Sequence, residues 1–299
     1  MKTRQIGAMQ IQKVVELDGM ALPASLVFPG ATSDIVARGR EMFDARFIAP
    51  DQDALLWSFH SYVVRVRGRN ILIDTCHGND KVRPEPVAYA HMMNTDYLGN
   101  LGRAGLRPED IDMVLCTHLH IDHVGWNTRL SDGKWVPTFP NARYLMTRAD
   151  YERFEHIAPD DQEGAIGYYS FHDSVLPVVA AGQAELIETD HVIERELDEG
   201  VWMEGAPGHT PGSVVIHARN AHGHALFAGD VIHHPIQMAW PSLHVAGEYD
   251  SSMGMRTRQR VLESCADTDT LLLPAHFPSP TAARVVSTAD GFGLTFDAE

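Results

Sequence analysis

Four apolar runs in this chain stop abruptly at a histidine or an aspartate, and that recurrence constrains the fold more than any other feature. Residues 113–116, Met-Val-Leu-Cys, have the length and character of a buried strand and run directly into Thr-His-Leu-His-Ile-Asp-His at 117–123. The apolar stretches 201–204 and 213–218 are joined through Gly-His-Thr-Pro-Gly at 208–212, the run 224–228 leads into Gly229-Asp230, and 271–273 leads into Pro-Ala-His276. A solvated polar loop explains one such cluster. It does not explain four, each at the end of an expected strand.

Further strands are predicted at 11–17, 61–66, 70–74 and 143–146, and helices at 95–104, 148–156, 165–180 and 255–265, with Gly or Pro at the joins. Strands and helices alternate in both halves of the chain without a Pro/Gly/Ser linker or a composition shift. The pattern predicts one α/β domain over 1–299 in which helices cover sheets. Two stretches, 76–94 and 159–169, lack regular patterning and are expected to be loops, which near a site often form its walls.

Charge removes some classes of partner. The formal net charge is −16 and the basic residues are scattered, so nucleic-acid binding is not expected. No window approaches a membrane span and the first residues carry no apolar leader, so a cytoplasmic protein is expected. Cys76, Cys116 and Cys265 have no paired spacing and are predicted to be small core residues rather than disulfides or zinc ligands.

Imidazole and carboxylate are donors that Zn²⁺ accepts, and three protein ligands with one open position define a catalytic site. A tight loop can turn His118 and His120 toward one cation and Asp122 and His123 toward a second. Those four are too few for two ions, so the remaining ligands are expected from His209, Asp230 and His276. The same donors suit manganese, iron or cobalt, with zinc placed first.

The order His-x-His-x-Asp-His, then Gly-His-Thr-Pro-Gly, then Gly-Asp, then a late Ala-His closely resembles the metallo-β-lactamase superfamily, with Leu72-Ile-Asp-Thr75 matching its early aspartate motif. The resemblance implies a four-layer αββα sandwich holding two divalent metal ions. Carried over residue by residue, it implies that His118, His120 and His209 bind the first ion. Asp122, His123 and His276 would bind the second, with Asp230 bridging and Asp74 orienting ligands from behind. Secreted class B β-lactamases usually place cysteine where Asp230 stands, and flavodiiron proteins a carboxylate where His120 stands. The C-terminal motifs look more like the group containing methyl parathion hydrolase and the N-acyl-homoserine lactonases.

The expectation is therefore a dinuclear metal-dependent hydrolase that cleaves a lactone or carboxylic ester through a metal-bridging hydroxide, with Asp122 as the proton shuttle. Phosphotriester hydrolysis is the alternative, since the same centre serves a tetrahedral phosphorus. No Lys or Arg cluster stands beside the metal motifs to hold an anion. Phe47, Trp57, Phe59 and Trp126 are candidates for apolar walls, so a neutral, partly apolar small molecule is the expected substrate. A homodimer is the expected assembly if the chain self-associates.

Overall fold

The computed structural model describes residues 3–161, 163–196, 199–289 and 291–296. The chain divides into two compact units: residues 2–16 with 59–191, and residue 1 with 17–58 and 192–299. Each is built on one seven-stranded sheet. Among the described residues no helix is long and apolar enough to cross a membrane.

The strands in chain order are β1 (Arg4–Ile6), β2 (Met9–Pro23), β3 (Ala54–Val66), β4 (Arg69–Ile73), β5 (Met113–Leu115), β6 (Thr128–Ser131), β7 (Lys134–Pro137), β8 (Arg143–Thr147) and β9 (Ala184–Ile187). They continue with β10 (Val192–Glu196), β11 (Glu199–Gly205), β12 (Val214–Asn220), β13 (Gly223–Gly229), β14 (Leu271–Pro274), β15 (Ala283–Thr288) and β16 (Gly291–Phe296). The helices are α1 (Ala24–Val27), α2 (Ser33–Met42), α3 (Tyr97–Arg103), α4 (Arg148–Phe154), α5 (Gly164–Ser170), α6 (Leu176–Ala180), α7 (Ile236–Ala239) and α8 (Ser251–Cys265).

In the first unit the sheet order is β1-β2-β3-β4-β5-β8-β9. The β3–β4 hairpin closes through Arg67 and Gly68, both at positive φ, the conformation that a two-residue hairpin matching strand twist requires. From β4 onward the strands pair in parallel, β4 with β5, β5 with β8, β8 with β9. Parallel pairing puts the C-terminal ends of β4 and β5 at one edge, where Asp74 and the 117–123 loop emerge, the usual location of ligand sites in such sheets. Leu72, Val114, Tyr144 and Met146 are buried with Tyr97, Leu101, Phe154, Phe171 and Val178 from the helices. All three cysteines are free and buried, the core placement that the sequence predicts.

The sheet of the second unit runs β10 to β16 in chain order. β11, β12 and β13 are antiparallel neighbours, while β13 and β14 are parallel. The loop after β11, the end of β13 and the end of β14 therefore share one edge. That topology places His209, Asp230 and His276 together although 67 positions separate the first from the last.

One expectation of a regular element fails. Residues 165–180 do not form one helix: a π-helical turn, Phe171–Val175, separates α5 from α6. Pro177, within the first turn of α6, has no N–H to continue the preceding ladder.

Candidate metal centre

The metal ligands expected from sequence fall into two buried groups, one in each unit. In the first unit, Asp74 is the hub. It sits at φ 56° just past β4, a left-handed conformation that aspartate tolerates better than most side chains. Its Oδ1 accepts the backbone N–H of Thr117 at 2.7 Å, and its Oδ2 accepts the Thr117 hydroxyl at 2.8 Å and His123 Nδ1 at 2.9 Å. The Thr117 hydroxyl, donating to Asp74, is left as an acceptor 3.1 Å from His118 Nδ1. Donor arithmetic then places the protons of His118 and His123 on Nδ1 and leaves both Nε2 atoms with a lone pair. His118 Nε2 lies 3.1 Å from His120 Nδ1, so two ring nitrogens converge. Asp122 is less buried, with Oδ2 at 3.7 Å from His123 Nε2.

Backbone contacts lock this loop against the strand end. Thr75 N–H donates to the His123 carbonyl at 2.7 Å, Gly125 N–H to Cys76 at 2.7 Å, and Trp126 N–H to Thr75 at 2.8 Å. Glu16, buried on β2, ties the neighbouring segments together. Its carboxylate accepts His77 N–H at 2.8 Å, Gly78 N–H at 3.2 Å, the Thr95 hydroxyl at 3.1 Å and the Trp126 indole N–H at 2.6 Å. Burial raises its pKa and the four donors pull it back.

In the second unit three imidazoles converge on Asp230. His209 Nε2 lies 3.2 Å and His233 Nε2 3.0 Å from its Oδ2, and His276 Nε2 lies 3.0 Å from its Oδ1. His276 Nδ1 faces the Ser58 carbonyl at 3.3 Å, an acceptor for the proton that Nδ1 would carry with a metal on Nε2. The Gly208-His-Thr-Pro-Gly212 loop is pinned by Tyr249 N–H on the His209 carbonyl at 3.0 Å and Asp250 N–H on Gly208 at 2.9 Å. A Cβ at Gly208 would stand 2.2 Å from the Gly254 backbone nitrogen, so only glycine fits against α8 there.

His233 is a functional candidate that the motifs did not supply. His209, Asp230 and His233, all buried, present ligand atoms within 4.8 Å of one another. The signal was its place three residues after Asp230, in a turn that brings the side chain back to the carboxylate. Burial lowers the His233 pKa to about 4 against the opposing pull of Asp230, so it is a neutral imidazole and hence a competent donor at neutral pH.

The four aromatic candidates are all buried. Trp126 stacks on Tyr97 at 5.4 Å, Phe59 lies 4.4 Å from the His77 ring, and Phe47 packs on Phe296 at 5.2 Å. Trp57 lies beside the second group, 5.5 Å from the His276 ring and 6.4 Å from that of His233.

Both groups pass the chemical test for a divalent cation: buried imidazole nitrogens and carboxylates, with the far ring nitrogens of His118, His123 and His276 held by protein acceptors. A family model described as the metallo-beta-lactamase superfamily matches residues 58–276. The chain belongs to that superfamily. It is 31% identical over 161 residues to an N-acyl homoserine lactonase from Bacillus sp, covering 50% of this chain and 54% of that protein. It is 25% identical over 119 residues to a probable metallo-hydrolase, YflN, from Bacillus subtilis (strain 168), covering 40% and 44%. The chain thus spans about half, or less, of the length of these curated relatives. Among solved structures, the dizinc quorum-quenching lactonase AidC, in complex with the product N-hexanoyl-L-homoserine, aligns with a TM-score of 0.77 at 18% identity over 100% of this chain and 97% of its own. A probable metal-dependent hydrolase from Staphylococcus aureus aligns at 0.76 and 16% identity, over 99% of each chain. The metallo-β-lactamase fold expected from the motifs is the fold observed.

Proposed function

We propose that the chain is a dinuclear metal-dependent hydrolase of lactones or related carboxylic esters, working as one domain over 1–299; the family match takes in parts of both units. His118, His120 and His209 would hold one ion and Asp122, His123 and His276 the other, with Asp230 shared between them. The observation that carries this reading is the oriented imidazole set. At His118 and His123 an acceptor faces Nδ1 and leaves the Nε2 lone pair for metal, and at His276 the Ser58 carbonyl faces Nδ1 in the same way. Purely structural histidines have no need of that uniformity. Zinc is the proposed metal on donor chemistry and on the dizinc character of a structural relative. The reduced cysteines suit a cytoplasmic setting.

Two divalent ions, when bound, supply Lewis acidity toward the scissile carbonyl and lower the pKa of water near it. The chain's residues do the rest. Asp122, the most accessible carboxylate of the set, would take a proton from the attacking water and return it to the leaving alkoxide. Asp74 keeps its two histidines in the ligating tautomer. Trp57 offers an apolar surface beside His276 and His233, which favours a neutral substrate. The lactonase relatives direct the choice to lactones.

Elemental analysis should find close to two divalent ions per chain. Asp230→Ala should loosen both ions and His276→Ala chiefly one. Lactones should lead phosphotriesters and β-lactams in kcat/KM on one metal-loaded preparation. Phosphotriesters leading by about tenfold, a full unit of log selectivity or ~1.4 kcal/mol, would overturn the substrate assignment.

A further inference from the structure

The segment 76–94 carries no strand and a single 3₁₀ turn, Ala88–Ala90, yet it is bound by a buried charge cluster. Arg83 grips Asp173 with both arms of its guanidinium, Nη1 to Oδ2 at 2.6 Å and Nη2 to Oδ1 at 3.2 Å. Lys81 is fully buried beside it. Its Nζ donates to the Thr128 hydroxyl at 2.8 Å and to the Asp173 carbonyl at 3.3 Å, and lies 3.6 Å from the Trp135 ring centre. Its Nζ also lies 3.5 Å from Asp173 Oδ1, so two basic side chains share one carboxylate, an arrangement that apolar packing would match or better for stability alone.

Asp173 lies in the π-helical turn Phe171–Val175, and such turns recur at functional positions because they are costly to keep. What this turn's flank and segment 76–94 touch explains the expense. Ser170, the last residue of α5 and the one just before the turn, donates its hydroxyl to the Leu119 carbonyl at 2.8 Å. Ile121 is buried with Val87 and Ala90, against Tyr89, Met93, Ala165 and Ile166. Leu119 and Ile121 are the residues interleaved with His118, His120 and Asp122.

We infer that the Arg83–Asp173 pair, with Lys81 beside it, is a positioning device for the ligand loop. It fixes the π-turn to segment 76–94, and the two together hold Leu119 and Ile121 so that the intervening side chains keep their spacing. None of the three charged residues is among the proposed metal ligands. The inference rests on the metal-centre reading above and adds to it residues far outside the family's ligand motifs.

The test uses the full-length metal-loaded chain and three variants. Arg83→Lys keeps the charge but not the two-armed grip, Ile121→Ala breaks the far end without touching charge, and Asp173→Asn removes the shared acceptor. Metal transfer to a chelator should accelerate roughly tenfold or more in Arg83→Lys and Ile121→Ala, the size usual for groups that orient ligands. The visible spectrum of the cobalt(II)-substituted protein should change as well. Wild-type transfer rates and an unchanged cobalt spectrum, with only the melting temperature of the metal-free protein lowered, would make the cluster structural and overturn the inference. If Asp173→Asn does not fold, the other two variants decide. A wild-type chain that takes up no metal overturns the metal reading and this inference with it, an outcome distinct from metal-loaded variants that behave as wild type.

Discussion

Replacing Asp74 by Asn tests the ligand set at its hub with little steric change. Asn tolerates the left-handed backbone at this position as well as Asp does, so the backbone adds little to the outcome. The amide keeps one oxygen, which can still accept Thr117 N–H, but its NH₂ must take the place of Oδ2. That atom now receives the Thr117 hydroxyl and His123 Nδ1. Thr117 would turn to accept from the amide, and its proton would then point at His118 Nδ1. Both histidines are thereby pressed toward the tautomer that carries hydrogen on Nε2, the nitrogen proposed to bind metal. Two buried hydrogen bonds to a charged acceptor are lost, a stability cost of about 2–4 kcal/mol in the metal-free chain. The bias in tautomer should weaken metal binding by roughly 10–100-fold. Chelator competition reads the affinity, and urea denaturation with the metal removed reads the stability. An affinity within about threefold of wild type, well below that range, would refute the idea that Asp74 sets the tautomers.

Burial pulls the Lys81 ammonium down to about 7, against the opposing pull of Asp173. Between that value and its unfolded value the unfolded chain binds the extra proton, so this group makes stability rise with pH from about 7 to ~10.4 and withdraws that gain as pH falls through 7. Lys81→Met should flatten the rise, and a slope of unfolding free energy against pH unchanged by the substitution would count against it. A Cβ at Gly125 would stand 1.9 Å from the His77 carbonyl oxygen, so Gly125→Ala should cost at least ~3 kcal/mol in chemical denaturation. Free zinc at about a thousand times its dissociation constant should stabilise the metal-stripped chain by ~4 kcal/mol, read as a shift of the denaturation midpoint.

The proposed ligand residues stand out in the sequence because each is announced locally: an apolar strand, a small residue or turn, then a histidine or aspartate. The predicted strand at 113–116 and the observed Met113–Leu115 differ by one residue, and 224–228 falls inside Gly223–Gly229. Asp74 was legible as a supporting residue for the same reason. His233 was half legible, near Asp230 but indistinguishable from any histidine in a turn until the turn closed. Glu16, Lys81, Arg83 and Asp173 were not legible as a network. Their partners lie up to 110 positions away, and no local pattern marks a carboxylate that collects donors from distant loops. The π-turn escaped for a related reason: residues 165–180 read locally as one helix, and the break at Phe171–Val175 is held by Asp173's contacts with Arg83 and Thr128.

The Glu16 carboxylate bears on where this chain can be cut. The family match opens at residue 58, and a fragment trimmed to it would keep every proposed metal-binding residue from His118 to His276. It would also discard β1, β2 and the single acceptor shared by His77 N–H, Gly78 N–H, Thr95 and the Trp126 indole. Three buried donors, His77 N–H, Gly78 N–H and the Trp126 indole, stranded at about 1–3 kcal/mol each rival the ~5–15 kcal/mol that holds a typical domain together. The stretch that is recognisable by descent is therefore shorter than the stretch that can fold. In library construction or domain shuffling, the N-terminal strand has to travel with the chemistry it never touches.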